Sequence, residues 1–152
     1  MSDDFPRSTA KIGGHPIHPM LVPIPITCFV GTLLTDIAFA RTGGLQWGNF
    51  SSWLVSFGVI FTVLAAIAGA IDFFSESRIR RLAPAWIHAV GNVVVLILAT
   101  LNALVHTRDA YGPMPTGLIL SILTVLVLLV TGWNGWDMVY RHRVSILPEQ
   151  RS

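Results

Sequence analysis

The chain has 152 residues, of which 53% are apolar and only 12% are charged, with a formal net charge of +2. An ordinary soluble domain carries about 25% charged residues, so this composition excludes that class and indicates a membrane protein in contact with a lipid bilayer. The single cysteine excludes an intrachain disulfide and a cysteine-based metal cluster. We interpret the excess of basic over acidic residues as an indication of how the chain is oriented in the membrane, and we expect no nucleic-acid partner.

Four apolar stretches are long enough to cross a bilayer. Because the connections between them are short, they predict an all-α, integral-membrane fold, an antiparallel up-down four-helix transmembrane bundle. No internal repeat is evident. The predicted parts are a cytoplasmic N-terminal segment over 1–19, a transmembrane domain over 20–140 with spans at about 20–40, 52–74, 86–106 and 116–140, and a cytoplasmic tail over 141–152.

The distribution of basic residues predicts the orientation of the bundle. Eight of the ten Lys and Arg residues fall in the N-terminal segment, the second loop and the tail, whereas Arg41 and Arg108 lie in the other two loops. Cytoplasmic loops carry the excess of Lys and Arg. The sequence therefore predicts that both termini of this multi-pass membrane protein are cytoplasmic.

The third span carries a polar stripe. His88 and His106 are 18 residues apart, which is five helical turns and about 27 Å, with no charged residue between them. Asn92 and Asn102 fall on the same face by steps of three and four residues. Such a stripe must face away from lipid, so we expect it to line the inside of the bundle.

Four of the five histidines gather at the predicted cytoplasmic end. His15 and His18 each precede a proline, which predicts extended or polyproline II backbone with both side chains pointing the same way, about 9 Å apart. That spacing suits one ligand and one partner on a shared surface. Clustered imidazoles commonly hold metal ions or haem iron, although interfacial histidines also cap helix ends. The candidate cofactor-binding residues are His15, His18, His88, Asn92 and His142, and the candidate metal ligands are His88, His18 and His15.

Three acidic residues lie at or within the spans. Asp72 and Asp137 are close in depth to the histidines, where a carboxylate can accept a proton from a ligand imidazole or pair with a nearby arginine. Asp36 lies near the outer end, where we expect capping or pairing with Arg41, with a proton relay as the alternative. The residues expected to orient a ligand or relay a proton are Asp72, Asp137, Asp36, Asn102 and His106. His106 can also be interpreted as an interfacial residue at the end of a helix.

Irregular backbone is predicted at the same end of the bundle. Pro23 and Pro25 each remove a backbone donor, so the stretch from Leu21 to Ile26 should be bent. The glycine-rich stretch Thr131–Asp137 leaves space for a flat group or a neighbouring helix.

Three segments resemble a known family. They are His15-Pro-Ile-His-Pro-Met-Leu-Val-Pro-Ile-Pro25, then Gly69-Ala-Ile-Asp72 with His88 and Asn92, and Gly132-Trp-Asn-Gly-Trp-Asp-Met-Val-Tyr-Arg-His142. Together they are similar to the bacterial membrane family catalogued as domain of unknown function 2231, and the resemblance covers all four spans. The resemblance implies a multi-pass protein of a bacterial inner membrane, and it implies no established activity. Some relatives look fused to a Rieske-type iron–sulfur module, which implies an electron-transfer setting.

These observations lead to three functional hypotheses. The first is a small b-type cytochrome-like membrane protein that binds haem b near the cytoplasmic face. Its haem ligands would be His88 and either His15 or His18. It would transfer electrons between a quinone or soluble donor and a redox partner protein. The second is a non-redox homo-oligomer that handles a divalent metal ion, a proton or a small solute. The third is an accessory subunit of a larger membrane complex, without a cofactor. No nucleophile–base pairing, phosphate loop or metalloprotease helix is present, so we expect no independent catalytic activity.

Overall fold

A computed structural model describes residues 8–107, 114–141 and 144. Four helical spans in the described chain, of 26, 31, 24 and 25 residues, are long and apolar enough to cross a membrane, which confirms the predicted all-α membrane bundle. The elements in chain order are β1 (Lys11–Ile12), β2 (His15–Pro16), α1 (Ile17–Leu21), α2 (Pro23–Thr42), α3 (Leu45–Ser75), α4 (Ser77–Arg80), α5 (Ala83–His106) and α6 (Thr116–Tyr140).

The described chain begins and finishes at one end of the bundle, which we call the proximal end; the opposite end is the distal end. At the distal end, α2 and α3 are joined by only Gly43 and Gly44. Gly43 has a φ of +66° and its N–H donates to the carbonyl of Phe39, a left-handed helix ending that glycine adopts without strain. The connection is much shorter than the loop predicted over 41–51, because α3 already begins at Leu45.

The N-terminal segment forms a small antiparallel hairpin before the first span. Its turn is Gly13–Gly14, both at positive φ, which is the backbone that a two-residue hairpin turn requires. The prediction of extended or polyproline II backbone is confirmed for His15, which lies in β2, and is wrong for His18, which lies in α1. The two side chains therefore do not follow the common polyproline II spacing. The predicted irregularity is confirmed, since α1 ends just before Val22 and a new helix begins at Pro23.

The two long helix pairs, α2–α3 and α5–α6, are structural repeats of one another, a relationship that the sequence analysis missed. They run in the same direction, and α2 packs against α6 as α3 packs against α5, so an approximate two-fold axis along the bundle relates them. Buried positions recur with a fixed offset. They are Pro25 and Val95, Phe29 and Ala99, Thr32 and Asn102, and Asp36 and His106, all 70 residues apart, then Ser51 and Gly117, Val55 and Ser121, Gly58 and Thr124, and Ala65 and Thr131, all 66 apart.

An apolar cluster fills the middle of the bundle. Phe29, Val55, Val95 and Ala99 are its buried members. Gly58 is required beside them, because a Cβ there would lie 2.5 Å from the ring of Phe29. The cluster separates polar groups at the proximal end from polar groups at the distal end.

Candidate functional site

Two histidines meet at the proximal end. His18 projects from α1 and His88 from the beginning of α5, and their ring centroids are 5.8 Å apart with an angle of 85° between the ring planes. They are 70 residues apart, so they occupy equivalent positions in the two repeats. The sequence placed both at one end of the bundle, and the structure brings them into contact.

Each imidazole of this pair is held by a backbone carbonyl of a neighbouring helix. His18 Nδ1 lies 2.8 Å from the carbonyl oxygen of Ala65, and His88 Nδ1 lies 2.8 Å from that of Thr131. A carbonyl oxygen only accepts, so each Nδ1 carries the hydrogen, and Nε2 of the neutral ring keeps its lone pair. Within the described residues neither Nε2 has a hydrogen-bond partner. This is the usual arrangement of metal-ligating histidines, in which the second ring nitrogen donates to a fixed acceptor.

A glycine makes room for each ring. Gly69 follows Ala65 by one helical turn, and a Cβ on it would lie 2.9 Å from His18 Nδ1. Gly135 follows Thr131 by one turn, and a Cβ on it would lie 3.0 Å from His88 Cε1. The sequence analysis did not assign these glycines to the histidines; their common offset of 66 residues is the signal that links them.

The other predicted ligands lie outside the pair. His15 is exposed on β2, whereas His18 is half-buried against α3, where its ring bonds the Ala65 carbonyl. Asn92 Nδ2 donates to the backbone carbonyl of His88, 2.7 Å away, and thus binds its own helix. His142 lies outside the described residues.

Asp72 fastens the N-terminal segment to the end of α3. Its carboxylate accepts hydrogen bonds from Ser8 Oγ at 2.7 Å, from the Thr9 N–H at 2.6 Å and from the Ala10 N–H at 2.8 Å. Among the described residues, these donors are the hydrogen-bond partners of Asp72, and no imidazole is one of them. Asp137 lies 3.7 Å from Arg141 Nη1, one turn along α6.

A second polar cluster lies at the distal end, and it joins three helices. Asp36 Oδ1 is 2.8 Å from His106 Nε2, and Asp36 Oδ2 accepts from Ser121 Oγ at 2.5 Å. Asn102 Nδ2 donates to Ser121 Oγ at 2.8 Å, and His106 Nδ1 lies 2.9 Å from the Asn102 carbonyl. We call these four residues the distal cluster.

The distal cluster confirms one prediction and corrects two. Asn102 and His106 do line the inside of the bundle together, at 2% and 5% exposure, so His106 is not an interfacial residue. Asp36 pairs with His106 and not with Arg41, which is exposed. Ser121 was missed, although it is a lone serine within an apolar run of α6.

The described residues contain no group of three or more His, Cys, Asp or Glu placed to hold a metal ion. Among the described residues, the His18–His88 pair can therefore supply two protein ligands.

Comparisons with known proteins identify one relationship. The family model for the predicted membrane proteins called domain of unknown function 2231 matches residues 14–148. No curated protein and no solved structure matches the chain.

Proposed function

The chain belongs to this family of predicted membrane proteins, domain of unknown function 2231, and we propose that it holds a transition-metal ion at its proximal end through His18 and His88. One observation carries the proposal: two imidazoles from separate repeats lie side by side, each oriented by a backbone carbonyl through Nδ1. Imidazole is a favoured ligand of zinc, copper, iron and nickel, which defines the class of ion.

The spacing of the rings suits a shared ion. Metal–imidazole bonds are about 2.0–2.1 Å long, so two rings on one ion have centres roughly 5–6 Å apart. The observed centroid distance of 5.8 Å lies in this range. With two protein ligands the ion keeps open positions, which suits a metal that is exchanged or passed on more than one that is locked into the fold.

The same packing gives no support to haem. The ring of each histidine already fills the space over a glycine, His18 over Gly69 and His88 over Gly135. A porphyrin would have to displace one of these rings from its neighbouring helix. Haem b with electron transfer to a quinone or redox partner, and the accessory-subunit hypothesis, remain untested predictions.

The direction from which the metal arrives follows from the basic residues. Eight of the ten Lys and Arg residues belong to segments at the proximal end, and such segments are usually cytoplasmic. We propose that the His18–His88 pair is reached from the cytoplasm.

Metal titration of the purified full chain in detergent tests the proposal. Calorimetric titration with Zn²⁺ and Ni²⁺ should give one ion per chain in the wild type, and His18→Gln or His88→Gln should abolish this binding. His15→Gln is the matched control, because it removes a nearby exposed histidine, and it should bind like the wild type. Equal binding by all three variants would refute the site.

An absorbance spectrum of the same preparations, from cells grown with excess haem, distinguishes the two cofactors. A colourless protein that binds Zn²⁺ agrees with the proposal. A Soret band that disappears in His88→Gln would overturn it in favour of the cytochrome hypothesis.

A further inference from the structure

The distal cluster has a hydrogen-bond pattern that fixes the number of its protons. The Asn102 carbonyl only accepts, so His106 Nδ1 carries a hydrogen. Asn102 Nδ2 donates to Ser121 Oγ, which leaves the Ser121 hydroxyl hydrogen for Asp36 Oδ2. Every contact of the cluster is then assigned except the one between Asp36 and His106.

That remaining contact requires one more proton. His106 Nε2 and Asp36 Oδ1 are 2.8 Å apart, and both have only lone pairs when His106 is neutral and Asp36 is ionised. Two lone pairs would repel at this distance. One proton must therefore lie between them, whether it belongs formally to the imidazolium or to the carboxylic acid.

Within the described residues, His106 is the charged or titratable group with which Asp36 forms an ion pair. Among the described residues, α5 presents His106 as the titratable group facing Asp36, α6 presents the neutral Ser121, and α3 presents hydroxyls, with Ser52 Oγ donating to the His106 carbonyl. The side chains of Asp36 and His106 are 1% and 0% exposed. Loss of the shared proton would leave a buried, unpaired carboxylate, which is unfavourable in such an environment.

The cluster also retains a free acceptor. Asn102 Oδ1 is buried and has no hydrogen-bond partner among the described residues, on a residue that is only 2% exposed. A buried acceptor left without a donor is costly. Asn102 Oδ1 is therefore available to accept a hydrogen bond from a proton carrier that enters the distal cluster.

We infer that the distal cluster is an intramembrane proton-binding site, in which Asp36 and His106 together hold one proton that exchanges with the aqueous phase at the distal end. The site is independent of the proposed metal site, because the apolar cluster of Phe29, Val55, Val95 and Ala99 lies between them.

Nuclear magnetic resonance of the full chain in detergent, labelled with ¹⁵N-histidine and ¹³C-aspartate, tests the inference. Signals of His106 and Asp36 are assigned from His106→Gln and Asp36→Asn. In the wild type at neutral pH, one of the two side chains should carry the proton, and raising the pH should release it reversibly while the protein stays folded. In Asp36→Asn the amide can donate to Nε2, so His106 should stay neutral with its hydrogen on Nδ1.

Two results would overturn the inference: an ionised Asp36 beside a neutral His106 at neutral pH, or a proton that is never released over the pH range in which the protein stays folded. The last result would mean a fixed structural pair. Zn²⁺ binding by Asp36→Asn is measured in parallel and should equal that of the wild type, so the failure of either proposal can be recognised separately.

Discussion

Asp36 and His106 face each other at 2.8 Å and are 70 residues apart, which is the same chain separation that relates His18 to His88. Both contacts therefore form where equivalent positions of the two repeats meet. At the proximal end the meeting residues are identical, and two imidazoles result. At the distal end they differ, and an acid faces a base. One architecture thus carries the proposed metal site at one end and the proposed proton site at the other.

Adding a methyl group at Gly135 should weaken metal binding by displacing His88. A Cβ there would lie 3.0 Å from the imidazole, so Gly135→Ala should push Nδ1 away from the Thr131 carbonyl. Loss of such an orienting contact typically costs 10–100-fold in metal affinity, and we expect about 10-fold in a Zn²⁺ titration. Gly132→Ala, on the same helix, is the control, because a Cβ there meets no atom within 4 Å. Equal affinities for the two variants would show that the carbonyl does not position His88.

Close packing of α5 on α6 should make Gly91 intolerant of a side chain. A Cβ at Gly91 would lie 2.2 Å from Thr131 Cγ2, so Gly91→Ala must force the helices apart. Overpacking of this kind costs about 1–3 kcal/mol, measurable as a lower midpoint of thermal unfolding in detergent. Thr131→Ser removes the obstructing methyl group and should restore most of the loss when combined with Gly91→Ala. A double variant no more stable than Gly91→Ala alone would contradict this explanation.

The two members of the distal pair should show strong coupling in a double-mutant cycle. Asp36→Ala or His106→Ala alone leaves a buried polar group without its partner, for which about 3–5 kcal/mol of destabilisation is expected. The double variant should cost less than the sum of the two, with a coupling energy of about 0.5–3 kcal/mol in the free energy of unfolding. Additive effects would mean that the 2.8 Å contact contributes nothing specific.

Removing the charge of Asp72 should release the N-terminal segment. In Asp72→Asn the side-chain NH₂ group cannot accept the hydrogen bonds that one carboxylate oxygen now receives from Ser8, Thr9 or Ala10. Limited trypsin digestion should then cut after Lys11 severalfold faster than in the wild type. Asp137→Asn makes the same charge change at the same end of the bundle and should leave the cleavage rate unaltered. If both variants are cut alike, Asp72 does not hold the segment.

The proposed orientation can be checked with single cysteines in a Cys28→Ser background. Ser77→Cys lies in α4 at the proximal end, and Gln46→Cys lies at the distal start of α3; both positions are exposed. A membrane-impermeant maleimide should label Gln46→Cys in intact cells, but Ser77→Cys only after permeabilisation. The reverse pattern would place the termini outside.

Hydropathy and periodicity predicted the four spans, and they also placed Asn102 and His106 correctly on the inner face of α5. Periodicity within one helix identifies which residues share a face, but not which helix that face meets. The hydrogen-bond partner of His106 could therefore not be predicted from the sequence. Asp36 was assigned to the nearby Arg41 instead of to His106, which is 70 positions away. Only the packed bundle brings α2 and α5 together at the distal end.

The repeat was not predicted from the sequence because few residues at equivalent positions of the two helix pairs are identical. His18 matches His88 and Gly69 matches Gly135, whereas Thr32 aligns with Asn102. What the repeats share is mainly which positions are buried, and burial follows from packing rather than from residue type. The hairpin turn at Gly13–Gly14 was missed for a different reason: the following prolines indicated extended chain, but the paired glycines determined where it folds back.

The approximate two-fold axis has a consequence for what this bundle can contain. In a homodimer of identical helical hairpins, the residues that meet on the axis must be the same, so an acid can face only another acid and a base only another base. Because one chain carries both hairpins here, each half is free to change without the other. The Asp36–His106 contact is a heterogeneous pair that a symmetric dimer of such hairpins could not form at this position, and joining the hairpins in one polypeptide is what makes it possible.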